Sequence, residues 1–137
     1  MNTKTILVLL AAAAALCTVQ PAQAHHAFAA EYDPQKPITL TGTVTKMEWV
    51  NPHGWIYMDV KQPDGTVKQW TIETSNPNQM SRRGLKKTDV SHGSSIVIKG
   101  YQGIKDPVLA NGRTLTLADG RSFYIGSVGG PDDGADR

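Results

Sequence analysis

Cysteine is almost missing from this chain: the one present, Cys17, lies inside the apolar run Ile6 to Val19, and none follows it. That run, with Lys4 before it and "QPAQA" after it, has the layout of a secretory signal, with the predicted cut between Ala24 and His25. Leu16, where a lipoprotein would place a small residue before its cysteine, argues against a lipid anchor. The mature chain is then free of cysteine, which excludes disulfides, thiolate metal ligands and cysteine nucleophiles. No other apolar run approaches the roughly 20 residues of a membrane span, so a soluble periplasmic or secreted protein without a membrane anchor is expected.

Charge of one sign is also scarce. Lys and Arg number 14 against 12 acidic residues, and the loss of Lys4 with the signal brings the mature balance to +1. A nucleic-acid partner would call for a marked basic excess. No serine sits in a nucleophile elbow and no glycine-rich phosphate loop follows a strand, so the chain is read as a non-enzyme.

Strand signals dominate what is there. Ile38 to Val50 is rich in threonine and branched residues, with Ile38, Leu40 and Val44 on one face and a shift of parity to Met47 and Trp49 that Gly42 would accommodate as a bend or bulge. "WIYMDV" alternates Trp55, Tyr57 and Asp59 with Ile56, Met58 and Val60, and a "PDG" turn joins it to "VKQWTIET" as a hairpin. "SNPNQMSRRG" predicts the one helix, with Asn76 as cap, Pro77 in the first turn, Gln79 completing an N-x-x-Q arrangement and Gly84 at the end. "SSIVIKGY" is a fourth strand with Ile96 and Ile98 inward, and "RTLTL", "ADG" and "SFYIG" make a closing hairpin.

The expected fold is therefore all-β with one short helix: a small five- to six-stranded coiled barrel of the oligonucleotide/oligosaccharide-binding type, with a short sandwich as the alternative. Residues 1–24 are the signal, 25–37 an extended N-terminal segment, 38–126 the β domain and 127–137 a polar, disordered tail.

The stretches "HHAFAAEYD", "KPITLTGTVTKMEWVNPHGWIYMDV", "SNPNQMSRRG" and "RTLTLADGRSFYIGS" resemble a family of small exported bacterial proteins catalogued as a domain of unknown function, DUF6152. The resemblance implies an exported β-rich domain and brings no assigned activity or site residue. The chain departs from the family pattern at "KKTDVSHGSSIVIKGY", where a proline-glycine-aspartate turn is usual.

Three histidines carry the sharpest chemistry. A cut after Ala24 gives His25 a free amine beside its imidazole, two nitrogens that close one chelate ring, and His26 adds another imidazole. His53, in "WVNPHGW", is the candidate third ligand, set by Pro52 and walled by Trp49 and Trp55. Nitrogen-rich tetragonal sites suit Cu(II), which makes copper the first metal to test. Glu31, Glu48 and Asp59 are candidate outer acceptors or weak oxygen ligands, and Met47 and Met58 are soft donors that read more simply as core filler. The plainer alternative is a solvated histidine end and a His53 that only steadies its turn; His92 reads as exposed.

A second functional reading uses aromatic residues. Trp55, Tyr57, Asp59 and Glu48 form a candidate ligand surface of a non-catalytic adaptor for a small ligand or a periplasmic protein, while the parity of Trp49 and Trp70 places them in the core. Arg82 and Arg83 could take an anion, although adjacent helical arginines diverge towards solvent.

Overall fold

The computed structural model describes residues 27–132. Its first strand, β1 (Tyr32–Glu48), runs for 17 residues because its two halves have different partners. Residues 37–43 pair antiparallel with β4 (Ser95–Gly103), and residues 43–48 pair with β2 (Trp55–Lys61). The apolar parity shifts along β1 as expected, but at Thr45 rather than Gly42. Val44 faces Met58 and Lys46 faces Tyr57, which leaves Thr45 as the extra residue of a bulge, its hydroxyl donating to the Tyr57 carbonyl at 3.2 Å. Gly42 meets a different need: a Cβ there would collide with the Asp59 carbonyl oxygen, so its absence lets β1 and β2 approach closely.

β2 and β3 (Val67–Glu73) form the expected hairpin, in unbroken register from Trp55↔Glu73 to Lys61↔Val67. Ile56, Met58, Trp70 and Ile72 are buried in the core, while Trp55, Tyr57 and Asp59 stay half-buried on the opposite face of β2. Helix α1 (Pro77–Arg82) begins where the sequence places it. The Asn76 side chain accepts from the Gln79 N–H at 2.9 Å, satisfying a first-turn donor, and Met80 faces the core.

β5 (Leu109–Leu117) and β6 (Ser122–Tyr124) make the closing hairpin. β5 also runs antiparallel to β4 and, for three residues, parallel to β3 through Thr71↔Leu109, Ile72↔Ala110 and Glu73↔Asn111. That short contact closes β1, β2, β3, β5 and β4 into a ring of pairings, with β6 beside β5. The class is the expected one, all-β with a short α-helix between the third and fourth strands.

Three expectations are corrected. Among the described residues two further helical pieces occur besides α1, residues 27–31 and a 3-10 turn at Lys87–Asp89. The first replaces part of the extended N-terminal segment, because Phe28 is held between rings: its centroid lies 5.5 Å from that of Tyr32 and 5.8 Å, edge-on, from that of Tyr101. The strand therefore starts at Tyr32 and not at Ile38. Lastly, residues 127–132 are not a loose tail: Arg113 donates to the Ser127 carbonyl at 2.8 Å and pairs with Asp132 at 3.2 Å. A buried guanidinium requires acceptors, and this segment supplies them. Residues 133–137 lie outside the described residues.

Candidate functional site

A cleft of about 290 Å³ opens where the ring closes, lined by Phe28, Glu31, Tyr32, His53, Glu73 and Asn111 together with Ala27, Ser127 and Val128. These residues come from five places in the chain. The helical residues 27–31 and the start of β1 bring Phe28, Glu31 and Tyr32; the Glu31 carbonyl accepts from the Ile104 N–H at 2.9 Å, tying this segment down. β3 ends at Glu73, β5 contributes Asn111, and the C-terminal segment contributes Ser127, to whose hydroxyl the Asn111 amide donates at 3.1 Å.

His53 reaches the cleft from the turn between β1 and β2, where the Asn51–Pro52 peptide is cis. Gly54, just after it, donates to the Ser75 carbonyl at 3.2 Å and accepts from the Thr74 N–H at 2.9 Å, so the turn is laced to the end of β3. A Cβ on Gly54 would sit 2.6 Å from the Thr74 hydroxyl and 2.9 Å from the Met80 methyl, so only glycine permits this approach. The consequence is a short line of polar groups. His53 Nδ1 lies 3.1 Å from Glu73 Oε1, an ion-pair distance whose N–H direction is bent away from a straight hydrogen bond. The other oxygen, Glu73 Oε2, accepts from the Tyr32 hydroxyl.

Glu73 is 7% exposed and Tyr32 only 2%. Burial pushes the Tyr32 phenol well above its ordinary range, and the hydrogen bond to Glu73 together with the negative charges of Glu73 and Glu31 pushes it further. Because its folded-state value is raised, the stabilisation from this phenol is complete below the ordinary tyrosine value of about 10 and is lost as pH rises above it. Tyr32→Phe is expected to cost about 1.5 kcal/mol at neutral pH, the worth of a hydrogen bond to a carboxylate. The urea midpoints of wild type and variant should converge above about pH 10; a gap that persists unchanged at alkaline pH would contradict the burial of this phenol.

The residues singled out from the sequence divide into three groups. His25 and His26 lie outside the described residues, but Ala27, bonded directly to His26, lines the same cleft as His53. None of Glu48, Trp55, Tyr57 and Asp59 lines it, although Trp55 stands opposite Glu73 in the β2–β3 register. On that face the Tyr57 hydroxyl donates to Glu48 at 3.3 Å, and the Lys46 ammonium stands 5.3 Å above the Tyr57 ring while pairing with Glu48. The hydrogen bond from Lys46 holds the Glu48 carboxyl below its ordinary range. Met58 and Trp70 are in the core, with Met47 and Trp49 packed against it.

Arg83 is not an open anion site. It stacks 4.6 Å over the Tyr124 ring and donates to the Gly126 carbonyl at 3.2 Å, fastening α1 to the C-terminal segment. Arg82 and His92 are exposed. Among the described residues no three His, Cys, Asp or Glu side chains converge to hold a metal. The cleft offers one imidazole and one buried carboxylate in contact, and any metal there needs donors from elsewhere.

Nothing in the sequence sets Glu73 apart from the chain's other carboxylates, and Tyr32 and Asn111 stand in no motif. Tyr32 carried a usable signal: a tyrosine flanked by Glu31 and Asp33 in an extended stretch is a candidate buried hydroxyl. Asn111 carried none, since its burial depends on the parallel contact of β3 with β5.

A family model described as a family of unknown function, DUF6152, matches residues 13–108, which is more than half of the chain and ends just before β5. No curated protein matches.

Proposed function

The chain belongs to the DUF6152 family of unknown function, and starting from that we propose that it is a small exported protein that binds a transition-metal ion, Cu(II) first, through His25, His26 and His53. One observation carries this reading: Ala27 and His53 line one cleft. His26 directly precedes Ala27 in the chain, which supports the reading that the two halves of the ligand set can meet. The donors suit copper, being an α-amine and imidazoles that are readily neutral near physiological pH. The protein's part is to hold His53 and to bring the mature amino terminus to it; the role is binding, as in metal transport, storage or sensing, rather than turnover.

The adaptor reading through Trp55 and Tyr57 has less behind it. Lys46 already covers the Tyr57 ring, which leaves Trp55 alone to stack on an incoming group.

Calorimetry and electron paramagnetic resonance with Cu(II) should be run on protein beginning at His25, on protein with one extra N-terminal residue, and on His53→Ala. Sub-micromolar binding is expected for the first, weakened by at least about tenfold, or 1.4 kcal/mol, in each of the others. Absent binding, or binding indifferent to both changes, would sink the site.

A further inference from the structure

We infer that Glu73, held in place by Tyr32, is the positioning residue of the site: it fixes His53 as the Nδ1–H tautomer and leaves Nε2 as the atom that meets an incoming metal ion. The metal half of this inference rests on the function proposed above, while the tautomer belongs to the metal-free protein.

The two edges of the imidazole face different surroundings. Nδ1 is buried and has no hydrogen bond of good geometry, yet the His53 side chain as a whole is 40% exposed. The water-facing part of the ring is therefore the side that carries Nε2. A buried ring nitrogen needs a partner, and the group placed beside it is Glu73 Oε1 at 3.1 Å.

Glu73 is itself fixed. Its other oxygen accepts from Tyr32, whose ring packs against Phe28, which in turn meets Tyr101 edge-on. A carboxylate between two donors acts as an acceptor at both oxygens. Facing an oxygen that accepts, the buried Nδ1 is the ring nitrogen that carries the proton and donates it. The lone pair is then at Nε2, on the accessible edge. This is the arrangement by which a carboxylate sets the tautomer and orientation of a metal-ligating histidine. Glu73 on this account does not touch the metal, although among the described residues it is the carboxylate paired with His53.

The test is long-range ¹H–¹⁵N correlation on metal-free protein beginning at His25, with ¹⁵N-labelled histidine, at about pH 8, where an ordinary imidazole is neutral. The His53 signal is expected in the Nδ1–H pattern, shifted towards Nε2–H in Glu73→Gln and to a lesser degree in Tyr32→Phe. With Cu(II), Glu73→Gln should weaken binding about 10- to 100-fold while leaving the paramagnetic nitrogen couplings in place. An Nε2–H pattern in the wild type overturns the inference whether or not copper binds, as does a ratio that neither variant moves. The expected tautomer in a protein that binds no copper overturns the proposed function and the metal half of this inference with it, and leaves the tautomer assignment standing. Should Glu73→Gln fail to fold, the wild-type spectrum and Tyr32→Phe decide by themselves.

Discussion

Arg113→Ala is expected to lower the free energy of unfolding by about 3 kcal/mol, near the lower bound for breaking a buried charged pair. Arg113 is 3% exposed and its guanidinium serves several acceptors at once. Nη1 donates to the Ser127 carbonyl at 2.8 Å and to Asn111 Oδ1 at 3.3 Å, Nη2 donates to the Tyr124 hydroxyl, and Nε donates to Asp132 at 3.2 Å. Removal of the fork leaves buried acceptors without donors, which costs more than the bonds themselves contributed. The value is set low because Asp132 is 35% exposed and regains water. Arg113→Lys should recover only part of the loss, since one ammonium cannot reproduce a planar fork. Urea unfolding checks the magnitude, and hydrogen exchange should show residues 126–132 losing protection first. A loss below about 1 kcal/mol, the range of an exposed ion pair, would mean that the guanidinium is not the anchor of this segment.

Ile72→Ala is expected to cost about 3 kcal/mol, and Ile72→Val about 1 kcal/mol, as usual for truncation at a packed site. Ile72 has no exposed surface and stands opposite Ile56 in the β2–β3 hairpin and opposite Ala110 in the parallel contact. A Cβ on Gly112 would lie 2.8 Å from the Ile72 Cγ2 and 2.9 Å from the Ile125 Cδ1, so the side chain sits in closely packed surroundings. The cavity would open at the point where β3 and β5 close the ring, one residue before Glu73. Equilibrium denaturation measures the cost, with Val67→Ala, at a 60% exposed position on the same strand, as the control expected within about 0.5 kcal/mol. Equal losses at the two positions would mean that burial at the junction does not set stability.

Much of the fold was legible because its causes are local. Alternation in Trp55–Lys61 placed Ile56, Met58 and Val60 inside, and all three are buried. The "PDG" and "ADG" turns each carry a glycine at positive φ, 85° at Gly65 and 89° at Gly120, as tight turns between strands require. Asn76 caps α1 with the hydrogen bond its spacing allows.

The candidate site was legible in two members, His53 and Glu31. His53 follows a proline and precedes a glycine, and that turn chemistry marked it. Glu73 alternates with Ile72 and by parity should face water, yet it is buried because β5 pairs alongside it and Tyr32 lies against its carboxylate. Arg113 shares the parity of Leu115 and Leu117 but is the extra residue of a bulge between Lys99↔Thr114 and Gly100↔Gly112, and the segment that supplies its acceptors, Ser127 and Asp132, lies outside the strand.

By itself, then, the sequence determined the strands, the hairpins, the capped helix and the family to which the chain belongs. Each of these is decided within a few residues, by a period of two, a turn dihedral or a single cap. Tertiary structure alone decided that Phe28, Glu31, Tyr32, His53, Glu73 and Asn111 share a cleft, and that residues 127–132 are tied to β5. That outcome depends on a three-residue parallel contact and on bulges of one residue each, and a one-residue change of register sends every following side chain to the other face.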